Sequence, residues 1–205
     1  MTNKLFFTPG ACSLSPHIAL REAGLPFQLV QVDLAAKKTE HGENFLAINP
    51  KGYVPALLTD SGELITEGAI LVQYIADQRP ESGLAPAAGT PERRRLQEWL
   101  HFIATELQKG LGPINNPKAN DELRQVLKER LNTRFAFLSK SLEDEDYLLG
   151  NQFSVADGYA FYVLRGLRKL EGQAAFDQRP VLKAYFERIS ARPAVKAVLE
   201  AEKLS

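Results

Sequence analysis

The chain has 205 residues, 44% of them apolar and 24% charged, with 25 basic side chains against 25 acidic ones. That composition belongs to a globular protein with enough chain for one large domain or two small ones, and the zero net charge excludes a general attraction to nucleic acid or anionic membranes. No run approaches the ~20 apolar residues that span a bilayer, the opening residues lack a signal-peptide pattern, and the single cysteine, Cys12, excludes an internal disulfide, so a cytoplasmic location is expected.

Residues 4–8 read as a buried strand closed by Pro9-Gly10. Residues 13–23 follow as a helix, with Leu14, Ile18, Ala19 and Ala23 at helical spacing, Pro16 tolerated in the first turn, and Gly24 and Pro26 as the stop. Residues 27–32 alternate as a strand. A charged loop around Lys37, Lys38 and Glu40 leads to a short helix at 43–48. Strands at 55–58 and 63–65 join through Asp60-Ser61-Gly62, and a helix at 67–77 carries Ile70, Leu71, Tyr74 and Ile75 on one face. Strand–helix units imply parallel pairing and the tight turn an antiparallel edge, so residues 1–80 are expected to form an α/β domain on a mixed four-stranded sheet.

Residues 81–90 hold prolines, glycines and alanines without periodicity and read as a linker. Residues 91–205 are expected to form an all-helical domain, with helices at 91–109, 121–142, 154–170, 180–191 and 194–203.

Three stretches could carry chemistry. Cys12 follows a strand and a Pro-Gly turn at the mouth of a helix, where the helix field favours a reactive thiolate; the alternative is a small buried hydrophobe. Pro55 opens a strand and cannot donate to a ladder, which fits either an edge strand or a cis proline that presents the Val54 backbone to a peptide-like ligand. Thr66-Glu67-Gly68 precedes a helix, whose free N–H groups suit a carboxylate unless they serve only as a cap. The histidines His17, His41 and His101 and the one cysteine are too scattered for a metal site.

Four motifs occur in order: Phe7-Thr8-Pro9-Gly10-Ala11-Cys12-Ser13-Leu14-Ser15-Pro16-His17, Asn49-Pro50-Lys51-Gly52-Tyr53-Val54-Pro55, Leu64-Ile65-Thr66-Glu67-Gly68 and Phe153-Ser154-Val155-Ala156-Asp157. In these the chain resembles the glutathione S-transferase family over its whole length, and most closely the bacterial, cysteine-containing beta class. The resemblance implies a thioredoxin-like first domain and an all-α second domain, a homodimer, glutathione as co-substrate with no metal, and small hydrophobic electrophiles as acceptors. It implies glutathione lying extended with its sulfur beside Cys12, its cysteinyl part on the Val54 backbone across a cis Val54–Pro55 bond, and its γ-glutamyl end at Glu67 and Gly68. Lys37 would meet the glycyl carboxylate, and His101, Thr105, Glu106, Leu107 and Gln108 would complete the site. Thiol–disulfide exchange or peroxide reduction through a mixed disulfide at Cys12 follows from the same resemblance; a non-catalytic holding module is the alternative, because fold alone does not fix function.

Spacings of four and three put His101, Thr105 and Gln108 on one face of a regular helix. Gln108 stands where the class commonly has histidine, and His101 where it has asparagine. Glutamine can donate a hydrogen bond but cannot take a proton near neutral pH. His17 falls on another side of its helix from Cys12 and reads as structural. Ser154 and Asp157 form a capping box that is expected to be weakened by Gly158, which cannot make the usual apolar contact with Phe153.

Overall fold

The computed structural model describes residues 2–114, 118 and 120–204. These form two compact units, Met1–Ala85 with Ala191–Ser205, and Pro86–Ser190. The final helix therefore belongs with the first unit, whereas the sequence suggested an uninterrupted helical domain over 91–205.

In the first unit, β1 (Asn3–Phe7), α1 (Leu14–Glu22), β2 (Phe27–Asp33), β3 (Lys38–Thr39), α2 (Phe45–Ile48), β4 (Ala56–Leu58), β5 (Leu64–Thr66) and α3 (Gly68–Asp77) follow in order. The sheet has five strands in the order β3-β2-β1-β4-β5, one more than the four expected. The extra strand is two residues inside the expected charged loop: Val32 pairs with Thr39 and Asp33 with Lys38, antiparallel at the sheet edge. So short a segment has no room for a periodic signal. β1 runs parallel to β2 and antiparallel to β4, and β4 is antiparallel to β5. The Asp60-Ser61-Gly62 turn closes through a Gly62 N–H to the Thr59 carbonyl at 3.0 Å, with Gly62 at φ 90°, a conformation glycine adopts without strain.

Alternation along β1 sends successive side chains to opposite faces of the sheet. Phe6 packs on Phe45 of α2 with ring centroids 5.6 Å apart, in a core with Val30, Val32, Val54 and Ala56. Phe7 faces the other way, toward His17 of α1 at 6.3 Å. α1 packs against α3 and against the final helix, α10, whose range is Pro193–Ala201.

The attachment of that last helix is polar at its end and wholly buried. Glu202 Oε1 lies 2.8 Å from His17 Nδ1, both side chains being 0% exposed, and Glu202 Oε2 accepts the Gly10 N–H at 2.9 Å. His17 is thus structural, as its helix side suggested. Its Nε2 is buried without a hydrogen-bond partner, against the Phe27 ring at 5.4 Å. Gly10 sits at φ 70°, and a Cβ there would come within 3.3 Å of Leu204. Arg192 adds a two-point ion pair with Glu22, at 2.6 and 2.9 Å. The carboxylate of Glu202 therefore ties the chain end to the turn that leads into Cys12. Glu202→Ala strands the Gly10 N–H and the buried imidazole together, and a loss of about 2–4 kcal/mol is expected. Urea unfolding checks this, and a loss under about 1 kcal/mol would contradict it.

The second unit contains α4 (Pro91–Phe102), a π-helical segment (Ile103–Gln108), α5 (Lys109–Ile114), α6 (Asp121–Lys140), α7 (Val155–Glu171), α8 (Gln173–Phe176) and α9 (Pro180–Ser190). Thr90 caps α4 by accepting the Arg93 N–H at 3.1 Å, with Pro91 at the first helical position where its missing N–H costs nothing. α7 is the central helix: Ala156, Ala160, Phe161, Val163 and Leu164 are 0% exposed. Its start is fixed by Asp157. The carboxylate accepts Ser154 N–H and Oγ–H at 2.7 and 2.8 Å, Leu148 N–H at 2.9 Å and Tyr185 O–H of α9 at 2.7 Å. Phe153 packs edge-on against Tyr147 at 5.7 Å, which supplies the apolar contact that Gly158 cannot. Burial pushes the Asp157 carboxyl up, and the four donors pull against that.

Candidate functional site

In the first unit, Cys12 lies in the turn before α1, where Leu14 N–H bonds the Ala11 carbonyl at 2.9 Å and Ser15 N–H the Cys12 carbonyl at 3.4 Å. Its thiol is half-buried and donates to the Val54 carbonyl at 3.2 Å. The Val54–Pro55 bond is cis, and β4 begins one residue later. Two stretches more than 40 residues apart in the chain thus meet at a thiol and a backbone carbonyl.

Glu67 is the residue before α3, with φ 70° and ψ 115°. A non-glycine side chain held at positive φ is a strained placement of the kind found at ligand sites. Behind it, Ile70 and Leu71 N–H groups both bond the Glu67 carbonyl, at 3.0 and 2.9 Å. The first amides of the helix, beginning at Gly68, have no intrahelical acceptor and point out of the N-terminus.

Neighbouring side chains engage the Glu67 carboxylate, and the sequence reading did not anticipate them. Lys51 Nζ lies 2.5 Å from Oε1 and 3.0 Å from Thr66 Oγ1, while Tyr53 O–H donates to the same Oε1 at 3.2 Å. The carboxylate holds the Lys51 ammonium above its usual range. Lys51 and Tyr53 lie inside the Asn49–Pro55 motif, but nothing in their spacing points to Glu67. Both partners of the ion pair are about half exposed, so it contributes little to stability and exchanges readily.

Lys37 is half-buried rather than an ordinary surface lysine. It takes φ 55°, and its ammonium donates to the Gly52 carbonyl at 2.6 Å. It is thereby brought to the loop that carries Val54.

In the second unit Thr105 and Gln108, expected on one face with His101, line different clefts. The reason is the π winding of Ile103–Gln108: an i→i+5 ladder turns less per residue than the 3.6-residue helix. Thr105 lines a cleft toward Leu127, Arg130 and Leu131 of α6, and its hydroxyl donates to the His101 carbonyl at 2.9 Å. Gln108 lines another cleft, toward Tyr162 and Gly166 of α7, and its Oε1 accepts the Tyr159 hydroxyl. The amide nitrogen is what Gln108 has left to offer, as a donor. His101 is exposed. Leu107 is 0% exposed and belongs to the core. Glu106 is committed to α6, bonded by Arg134 Nε at 2.9 Å and Arg130 at 3.2 Å, and these guanidinium groups lower its carboxyl below the usual range. Tyr159 escaped the sequence reading because no motif marks it.

Among the described residues, no group of three or more His, Cys, Asp or Glu side chains is placed to hold a metal ion, and no helix is long and apolar enough to cross a membrane.

Two family models together match most of the chain. Residues 10–78 match the family model for the glutathione S-transferase N-terminal domain, and residues 102–193 that for the C-terminal domain. Glutathione S-transferase GstA of Escherichia coli O157:H7 is 42% identical over 208 residues, spanning 98% of this chain and 99% of the relative. The structure of a sphingomonad glutathione S-transferase complexed with glutathione is 49% identical, with a TM-score of 0.91 over 98% of this chain and 100% of the other. A bacterial beta-class glutathione S-transferase from Sphingomonas chungbukensis is 46% identical, with a TM-score of 0.90 over the same shares.

Proposed function

Since the chain belongs to the glutathione S-transferase family and is a transferase of that kind, we propose that the first unit holds glutathione extended between Lys37, Val54 and Glu67, with its sulfur at Cys12. The observation that carries this reading is the 3.2 Å contact of the Cys12 thiol with the Val54 carbonyl beside the cis proline. It assembles a nucleophile and an unladdered backbone edge in one place. A peptide ligand pairs with such an edge through main-chain groups. Its γ-glutamyl carboxylate suits the α3 N-terminus, and its ammonium suits Glu67 once Lys51 yields. Its glycyl carboxylate suits Lys37.

Two reactions follow. In conjugation, the glutathione thiolate forms a bond to an electrophilic carbon, the leaving group departs with its electron pair, and the thiol proton passes to water. In exchange, the Cys12 thiolate attacks the glutathione sulfur of a mixed disulfide between glutathione and another thiol; a Cys12–glutathione bond forms, the old S–S bond breaks, and the other thiol leaves as its thiolate. A second glutathione thiolate then displaces Cys12 and regenerates it. In this reading the enzyme works in the cytoplasm as a homodimer, on small hydrophobic electrophiles.

Glutathione binds the native state in this reading, so it raises the melting temperature by mass action, about 2.7 kcal/mol of stabilisation at a hundred times Kd. Glu67→Ala is expected to cut that shift most, because it leaves the ligand ammonium unpaired. Mass spectrometry with oxidised glutathione is expected to find a mixed disulfide at Cys12, lost in Cys12→Ala with the glutathione shift retained. Light scattering on the same sample is expected to find two chains per particle. No shift at millimolar glutathione would overturn the binding site, and an adduct that survives Cys12→Ala would overturn the role of the thiol.

A further inference from the structure

The carboxylate that suits a ligand ammonium already holds an ammonium from its own chain. Lys51 Nζ lies 2.5 Å from Glu67 Oε1 and 3.0 Å from Thr66 Oγ1, so the corner between β5 and α3 grips the lysine head by two acceptors. The backbone that delivers this head is fixed by Asn49, which is 1% exposed. Asn49 Oδ1 accepts the Lys51 N–H at 3.2 Å, and its Nδ2 donates to the Tyr53 carbonyl at 2.8 Å. The Lys51 side chain is thereby tethered beside Glu67 at a high effective concentration. Its stem is flexible, and with the side chain 45% exposed the head can swing into water.

A primary ammonium on a ligand is the same kind of group, a compact charge with three donors. Oε1 already takes the Lys51 head and the Tyr53 O–H, the latter at 3.2 Å. Two like charges on one carboxylate oxygen repel each other, so a second ammonium reaches that oxygen by replacing the first. The exchange is like for like: one exposed pair breaks as another forms.

We propose that Lys51 is a built-in competitor for the ammonium subsite: it occupies Glu67 until a ligand ammonium takes the carboxylate, and it lowers the affinity for glutathione by the fraction of time it is there. The proposal rests on the glutathione reading above, and it makes Lys51 a residue that tunes affinity without touching bound glutathione. Removing Lys51 therefore raises affinity. It also steepens the salt dependence. In the wild type, screening acts alike on the pair that breaks and the pair that forms, whereas without Lys51 a pair forms at Glu67 and none breaks.

Calorimetry at neutral pH with S-methylglutathione, which has no thiol to react with Cys12, tests this on the whole protein. Lys51→Met is expected to tighten binding about two- to fivefold, the range of an exposed ion pair, and to make it fall more steeply with salt. Lys51→Arg, whose planar fork can engage both carboxylate oxygens, is expected to bind more weakly than the wild type. The desamino compound, with hydrogen in place of the α-amino group, asks nothing of Glu67. It is expected to bind wild type and both variants within about twofold of one another. Melting temperatures without ligand are expected to be nearly unchanged, which separates competition from a disturbed fold. Equal or weaker binding of S-methylglutathione by Lys51→Met than by the wild type would overturn the proposal and leave the glutathione site standing. A desamino compound that gains as much from Lys51→Met as S-methylglutathione does would overturn it in the same way. No binding of S-methylglutathione by the wild type or either variant would overturn the glutathione reading and the proposal with it.

Discussion

Asp157→Ala is expected to cost about 3–5 kcal/mol, the largest stability loss of any single side-chain truncation predicted for this protein. Two backbone N–H groups, from Leu148 and Ser154, and two hydroxyls, from Ser154 and Tyr185, converge on one carboxylate that is 0% exposed. Truncation leaves these donors buried around a void, and each unsatisfied group costs on the order of 1–3 kcal/mol before the structure relaxes. Asp157→Asn keeps the volume but turns an NH₂ group toward donors, so it is expected to recover only part of the loss. Tyr185→Phe removes one donor and leaves the carboxylate otherwise satisfied, so about 1 kcal/mol is expected. The measurement is the fall in melting temperature, roughly 6–20 °C for the alanine variant in a chain of this size. An alanine variant no worse than Tyr185→Phe would show that the network is not what sets the start of α7.

The same residues show what a sequence displays and what it conceals. Ser154 and Asp157 stand three apart before an apolar run, and that spacing is a local rule, readable without a fold. Cys12, Val54 and Glu67 stand out as candidates for similar reasons, because each sits at a strand end, a proline or a helix start, where backbone groups lack local partners. Tyr185 and Leu148 could not be found, since their partnership with Asp157 depends on how α9 and the preceding turn pack. Glu202 was equally silent: 185 residues separate it from His17, and nothing in the final helix announces a buried carboxylate. Pairing partners are tertiary facts, whereas caps and turns are local ones.

Thr105 and Gln108 part for a different reason. The 3.6-residue period was assumed through a stretch that winds as a π-helix. The apolar positions Leu100, Ile103 and Leu107 fit the regular pattern well enough to hide the change, and all three are buried. The segment is followed by Gly110, Gly112 and Pro113, weak helix formers that disturb the hydrogen-bond ladder. Such residues are what a sequence can show of altered winding, and they bear directly on where position 108 points.

At that position an amide stands in place of the imidazole common in the class, and Gln108→His is expected to raise conjugation of 1-chloro-2,4-dinitrobenzene by about 10²–10⁴ in kcat/KM, the usual range for general-base help. Gln108 spends its oxygen on the Tyr159 hydroxyl, so it can offer a thiolate only an N–H and can accept no proton from a thiol. The wild type then depends on the thiolate fraction that water provides, and its rate is expected to be low. An imidazole acts as base in its neutral form, so the variant's rate is expected to rise with pH through about 6.5, the ordinary histidine value, an inflection absent from the wild type. Mixed-disulfide formation at Cys12 does not draw on this group and is expected to be unchanged, which separates lost base catalysis from a disturbed fold. Tyr159→Phe in the wild-type background frees the amide oxygen without creating a base and is expected to leave conjugation slow. If the wild type already conjugates as fast as the histidine variant, with the same pH profile, position 108 is not where the proton is taken, and His101 becomes the side chain to replace next.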